Sequence, residues 1–196
     1  MVKFQLLKRE ESIPDLLPVF KVKNYLDFPN RKNILSHARM YATAGGYHFN
    51  LISFENKMQS SENVLDIGSD SCMAINFNFS PPNSHRSIVS VFNSTGNFLV
   101  FDTSKSNITN DSIISKLKIF DSRDEQGWYW GVSFTIDCES LSTFYNENHS
   151  IYKDKNILGN VYKFSMGRSP HFGAVFEVKK PDIFFPSNLE SLALED

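Results

Sequence analysis

The residues with usable chemistry are few and spread along the chain. Two tryptophans, Trp128 and Trp130, stand two apart with Tyr129 between them. His171 lies between Pro170 and Phe172, and the cations Lys163 and Arg168 precede it closely. Such cations offer N–H donors to hydroxyls or carboxylates, arginine in a fixed fork; the plainer reading is a solvated loop. Arg39 falls in the short run Ala38 to Ala42 and, if buried, needs an acidic neighbour. Asn93 and Asn160 sit at turns, where asparagine is favoured for backbone reasons alone.

Sets of residues for catalysis are hard to find. A glycosidase needs two carboxylates facing one bond at a set separation. Asp121, Asp124 and Glu125 cluster, but a charged turn accounts for them. No Gly-x-Ser-x-Gly elbow and no phosphate-cradling glycine loop occurs. Cys72 and Cys138 have neither Cys-x-x-Cys spacing nor a nearby histidine at ligand spacing. They read as small buried hydrophobes, with a single bridge as the alternative. The sequence calls for no cofactor and leaves a metal undecided.

The elements that must position these residues are strands. The chain has 196 residues, 41% of them hydrophobic, and 18 are phenylalanine. That is a length for one domain spanning 1–196 and enough apolar surface for a sizeable core. Aromatics suit a pleated, half-buried surface. A net charge of −2 and a pI near 6.2 argue against nucleic acid, which needs a basic face. No apolar run reaches bilayer length, so no membrane span is expected. The start is not a secretory signal, so the expected location is cytoplasmic, or secreted if a signal was removed. The oligomeric state is not written in the sequence.

Alternation marks the strands. Phe20 to Lys23 reads as an edge strand. Ala38–Ala42 and Tyr47–Phe54 flank Gly45-Gly46 as a hairpin. In Ser71–Phe79, Met73, Ile75, Phe77 and Phe79 share one face, which should enter a core. Ser87–Phe92 and Asn97–Asp102 flank a turn at 93–96 as a second hairpin. Leu117–Phe120 is a shorter strand, followed by a charged turn over Asp121–Gly127. Trp128, Trp130, Val132, Phe134 and Ile136 share a face of the clearest strand. Residues 138–149 predict a helix, with Leu141, Phe144 and Tyr145 at i, i+3 and i+4. Gly159–Met166 and Ala174–Val178 are further strands, and Leu189, Leu192 and Leu194 suit a last one. The expectation is mainly β: an antiparallel sandwich of about nine or ten strands with one short helix.

Several segments then resemble the family 9-like carbohydrate-binding modules, a β-sandwich family related to DOMON-type domains. Ala38-Arg39-Met40-Tyr41 followed by Tyr47-His48-Phe49 is similar to the family's opening hairpin. Asp70-Ser71-Cys72-Met73 resembles its Asp-Ser-Cys strand, and Phe92-Asn93-Ser94-Thr95-Gly96 with Leu99 its next hairpin. Trp130–Ile136 resembles its Trp-led strand. Gly159-Asn160-Val161-Tyr162-Lys163 and His171-Phe172-Gly173 resemble its closing segments. The likeness covers about residues 38–185. It departs at Ala74 and Ser133, where acids are expected, and at Asp137, where a proline is expected.

The resemblance implies non-catalytic binding of a carbohydrate or similar polyol. The apolar C–H face of a sugar would stack on Trp128, at the strand start. Arg39, Asn93, Lys163, Arg168 and His171 would hydrogen-bond to it. Two other readings stay open: a structural or protein-interaction domain without a small ligand, and a hydrolase acting on glycans.

Overall fold

A computed structural model describes residues 2–7, 17–27, 34–55, 60–105, 107–108, 111–167 and 169–195. Fourteen strands and one α-helix are formed among them. In chain order the strands are β1 (Val2–Leu6), β2 (Phe20–Lys21), β3 (Asn24–Tyr25), β4 (Ser36–Thr43), β5 (Gly46–Phe54), β6 (Cys72–Asn78) and β7 (Ile88–Asn93). They continue as β8 (Phe98–Asp102), β9 (Asn107–Ile108), β10 (Ile114–Asp124), β11 (Gly127–Asp137), β12 (Asn156–Ser165), β13 (His171–Ala174) and β14 (Glu190–Glu195). Helix α1 spans Cys138–Tyr145.

Hydrogen bonding links the strands into one path, β10-β11-β5-β4-β1-β14-β12-β6-β7-β8-β9. The path has two halves joined through β1. One half is β10, β11, β5 and β4; the other holds β12, β6, β7 and β8. Both halves are antiparallel ladders. The join is not. β1 runs parallel to β4 on one side and to β14 on the other. The expectation of a wholly antiparallel fold is therefore corrected, and the strands outnumber the nine or ten expected. The added ones are β1 and the two-residue strands β3 and β9. Such short pairings carry no alternation to read, and β1 pairs only with distant segments.

The halves lie face to face. Phe49 of β5 meets Phe77 of β6 at 5.2 Å between ring centres, and Phe134 of β11 meets Phe92 of β7 at 4.8 Å. Met73, Ile75, Phe77 and Phe79 enter this main core as their alternation predicts. The opposite face of β6 is buried too. Cys72 and Ala74 join Tyr162, Phe164, Phe172, Val178 and Ile183 in a second apolar cluster, which covers that half from outside. All seven residues of β6 are thus buried.

Two strand readings shift. β10 runs on through Asp121 to Asp124, so the charged turn shrinks to the two residues before Gly127. The predicted strand at Ala174–Val178 is instead His171–Ala174. The helix ends at Tyr145, where Asn146 adopts the left-handed region at φ 54°. Both thiols are free, Cys72 buried and Cys138 half-buried. No helix among the described residues is long and apolar enough to cross a membrane.

Candidate functional site

A cleft of about 420 Å³ opens at one rim of the folded sheet. The β10–β11 hairpin forms one wall with Asp121, Trp128, Tyr129 and Trp130. Ser60 and Glu62, with Ser94 and Thr95 of the β7–β8 turn, form the other. Glu55, just past the end of β5, has its side chain only 8% exposed and forms the floor of the cleft with the buried Trp130.

Alternation along β11 sets the two tryptophans apart in role. Both point to the core side, but Trp128 lies where the core ends. Trp130 is buried, while Trp128 keeps 46% of its surface exposed. Arg123, its cross-strand partner, has its guanidinium 6.0 Å from the Trp128 ring centre. The indole is a large apolar plane held at a cleft mouth.

Beneath it lies a buried ion pair. Lys163 has no exposed surface, and its Nζ donates to Glu55 Oε1 at 2.6 Å and Ser71 Oγ at 2.5 Å. Glu55 Oε1 also accepts from Trp130 Nε1 at 2.7 Å and Ser53 Oγ at 3.1 Å. Glu55 Oε2 accepts from Ser71 Oγ at 2.9 Å. Burial pushes the Glu55 carboxyl up, but the Lys163 charge and the bonds from Lys163, Trp130 and Ser71 outweigh it. The net effect holds Glu55 below the usual carboxylate range. It is an anion at the edge of the cleft, and among the described residues Oε2 has a single donor, Ser71 Oγ. The pair also ties β5 and β11 of one half to β12 of the other.

The second wall is organised by Asp70 and Asn93. Asp70 accepts from Ser61 N at 2.8 Å, Ser61 Oγ at 2.9 Å, Asp66 N at 3.0 Å and Asn93 Nδ2 at 2.9 Å. Burial raises its pKa, but these donors more than offset that and lower it. Asn93 Oδ1 accepts from Thr95 N, Thr95 Oγ1 and Asn97 N. The Asp-Ser-Cys and Asn-x-x-Gly segments therefore meet, and they pin Ser94 and Thr95 against Ser60 and Ser61.

The six residues singled out from sequence are not gathered in one place. Trp128 lines the cleft. Asn93 is buried behind the turn, and Lys163 is buried beneath Glu55. His171 is buried in β13, its Nδ1 2.8 Å from Ser169 O; burial, then Lys163, lowers its pKa. Arg39 lies on the outer face of β4, its guanidinium 3.5 Å from His37 Nε2. Arg168 falls outside the described residues. Glu55, Glu62 and Ser60 carry no motif in the sequence, and Ser94 and Thr95 stand out there only as part of the hairpin that resembles the family's. One signal called for a partner of this kind without saying which: a lysine in the apolar run Val161-Tyr162-Lys163-Phe164 demands a buried acid.

This architecture is that of the family 9 carbohydrate-binding modules. A family 9 module from Caldicellulosiruptor kristjanssonii in complex with glucose superposes with a TM-score of 0.72 over 99% of this chain and 95% of that one, at 6% identity. The same organism's module with cellotriose gives 0.70, covering 99% and 92%, at 7% identity. A protein of Bacteroides uniformis named for a proposed carbohydrate-binding role gives 0.68, covering 99% and 98%, at 16% identity. At these identities the likeness is one of fold. No protein-family pattern matches the chain, and no curated protein matches it in sequence.

Proposed function

We propose that the chain is one non-catalytic carbohydrate-binding domain whose sugar site is the rim cleft. The observation that carries this reading is Trp128, a half-exposed indole at the mouth of a cleft that also presents a fixed carboxylate. A pyranose has an apolar C–H face and a rim of hydroxyls. In this reading the face stacks on Trp128 and the hydroxyls donate to Glu55 Oε2, Glu62 and Asp121. Ser60, Ser94 and Thr95 exchange further hydrogen bonds. Asn93 and Lys163 shape the site from behind, as positioning residues. The glucose and cellotriose complexes of the two structural neighbours support a neutral sugar as ligand.

Glu55 favours binding over hydrolysis. The general acid of a glycosidase needs a raised pKa, and Glu55 is driven the other way. The protein-interaction reading draws on other exposed apolar groups on these segments, Val64 and Ile119.

The test is thermal unfolding against a panel of neutral mono- and oligosaccharides. A ligand at about ten times its Kd adds roughly 1.4 kcal/mol. For a chain of this size that raises Tm by about 3–6 °C. The shift should vanish in Trp128→Ala, whose own Tm stays near that of the parent because the side chain lies outside the core. No shift with any sugar would move the assignment to a protein-interaction domain.

A further inference from the structure

The rim cleft is one-sided in charge. Among the described residues its lining holds three carboxylates, Glu55, Glu62 and Asp121, and no lysine, arginine or histidine. They approach from three sides: Asp121 from β10, Glu62 from the facing wall and Glu55 from the floor. Asp121 is the cross-strand partner of Trp130, so the two share the cleft side of the hairpin.

The three carboxylates differ in how far they are already engaged. Glu55 Oε1 accepts from Lys163, Trp130 and Ser53, and Oε2 from Ser71. The Glu55 charge is matched by Lys163, 2.6 Å away. Glu62 and Asp121 are exposed, and no hydrogen bond or ion pair within the described chain engages either carboxylate. Two cations stand close but outside the lining. Lys163 is buried and held by Glu55 and Ser71. Arg123 shares the cleft side of β10, but it lies two residues nearer the hairpin tip, over Trp128.

A cleft lined by one sign of charge concentrates ligands of the other sign. The carboxylates alone would not define a ligand. The half-exposed Trp128 beside them does, since its plane calls for a ring with an apolar face. An indole face also attracts cations. A sugar ring that carries an ammonium group answers both features.

We propose that the rim cleft selects amino sugars with free amines, of the kind found in oligomers of glucosamine, over neutral sugars of the same size and over uronic acids. This inference rests on the rim-cleft reading above and adds to it the charge of the ligand. The ring stacks on Trp128, and the ammonium lies between Glu62 and Asp121, the two carboxylates without a partner in the described chain. Those two residues set the specificity. Glu55, already matched by Lys163, takes hydroxyls.

The experiment is calorimetric titration of the full chain at about pH 6, where amines of this kind are protonated. The probes are the glucosamine trimer, cellotriose and trigalacturonate, with spermidine as a cation that has no sugar ring. At low ionic strength the glucosamine trimer should bind about fivefold more tightly than cellotriose, and the gap should narrow as salt is added. Trigalacturonate should bind more weakly than cellotriose. The double variant Glu62→Gln, Asp121→Asn should bring the glucosamine and cellotriose affinities together. Its unfolding midpoint should match the parent's, because both side chains are exposed. Trp128→Ala should lose both sugars. Cellotriose bound as tightly as the glucosamine trimer would overturn this inference and leave the rim-cleft reading standing. A gap unchanged in the double variant, or spermidine bound as tightly as the glucosamine trimer, would also overturn it. No sugar bound at all would overturn both readings together.

Discussion

Lys163 has no exposed surface, and a buried ammonium is tolerable only while Glu55 faces it. Lys163→Met should leave Glu55 as an unpaired buried carboxylate and cost about 3–5 kcal/mol in urea unfolding. Adding Glu55→Gln removes the second charge and should restore part of that loss. Acid should act on several groups in the same direction. Burial, then Lys155, lowers the pKa of His149 to about 4. Between the ordinary histidine range and that value, the unfolded chain holds a proton the native state lacks, so stability falls as pH drops. Glu55, Asp70 and Asp102 are held low, so their contribution is full above the usual carboxylate range. It is lost as pH falls through their own values. Thermal unfolding followed from neutral pH down to about 3 should show Tm falling throughout, with no acid optimum. At this scale the sequence is half legible. Trp128 announces itself by its place at a strand start. Glu55 does not, because its meaning comes from a lysine more than a hundred positions away.

The β7–β8 turn decides the shape of one cleft wall, and Gly96 decides the turn. Its φ is 91°, and a Cβ placed there would lie 2.9 Å from Ile119 Cγ1 of β10. Gly96→Ala should cost about 1–3 kcal/mol. It should also weaken sugar binding, since Ser94 and Thr95 move with the turn; titration and unfolding on the same sample would check both. The strands that alternate, β4, β5, β6 and β11, are readable because each sends every second side chain to an inner face. β10 is not. Its edge position leaves Lys116, Lys118, Ser122, Arg123 and Asp124 exposed, and a bulge between Ser115 and Lys118 breaks its period. The residues from Asp121 to Gly127 therefore read as a turn. Their strand character comes from pairing with β11, which is a property of the partner.

At the scale of the molecule, the strand path turns on β1, beside a smaller link in which β2 pairs with β4 and β3 with β13. β1 is the one connection in the strand path between the half that carries β11 and the half that carries β12. Phe4 is its buried residue, packed near Tyr47 at 6.3 Å between ring centres. Phe4→Ala should cost about 3–5 kcal/mol. Hydrogen exchange should then quicken in β4 and β14 together, because both lose the strand between them. The sandwich-like packing of two aromatic faces is legible in the sequence. The join is not, since parallel pairing of β1 with β14 brings together segments about as far apart as the chain permits. That pairing also sets an order of assembly. During synthesis β1 emerges before all the other described strands, yet one of its two neighbours, β14, follows all of them. Until β14 arrives, one edge of β1 carries unsatisfied backbone groups of the kind that recruit other chains. The chain is thus open to aggregation for as long as β14 is unmade, and a version cut short of Glu190 should stay in that state.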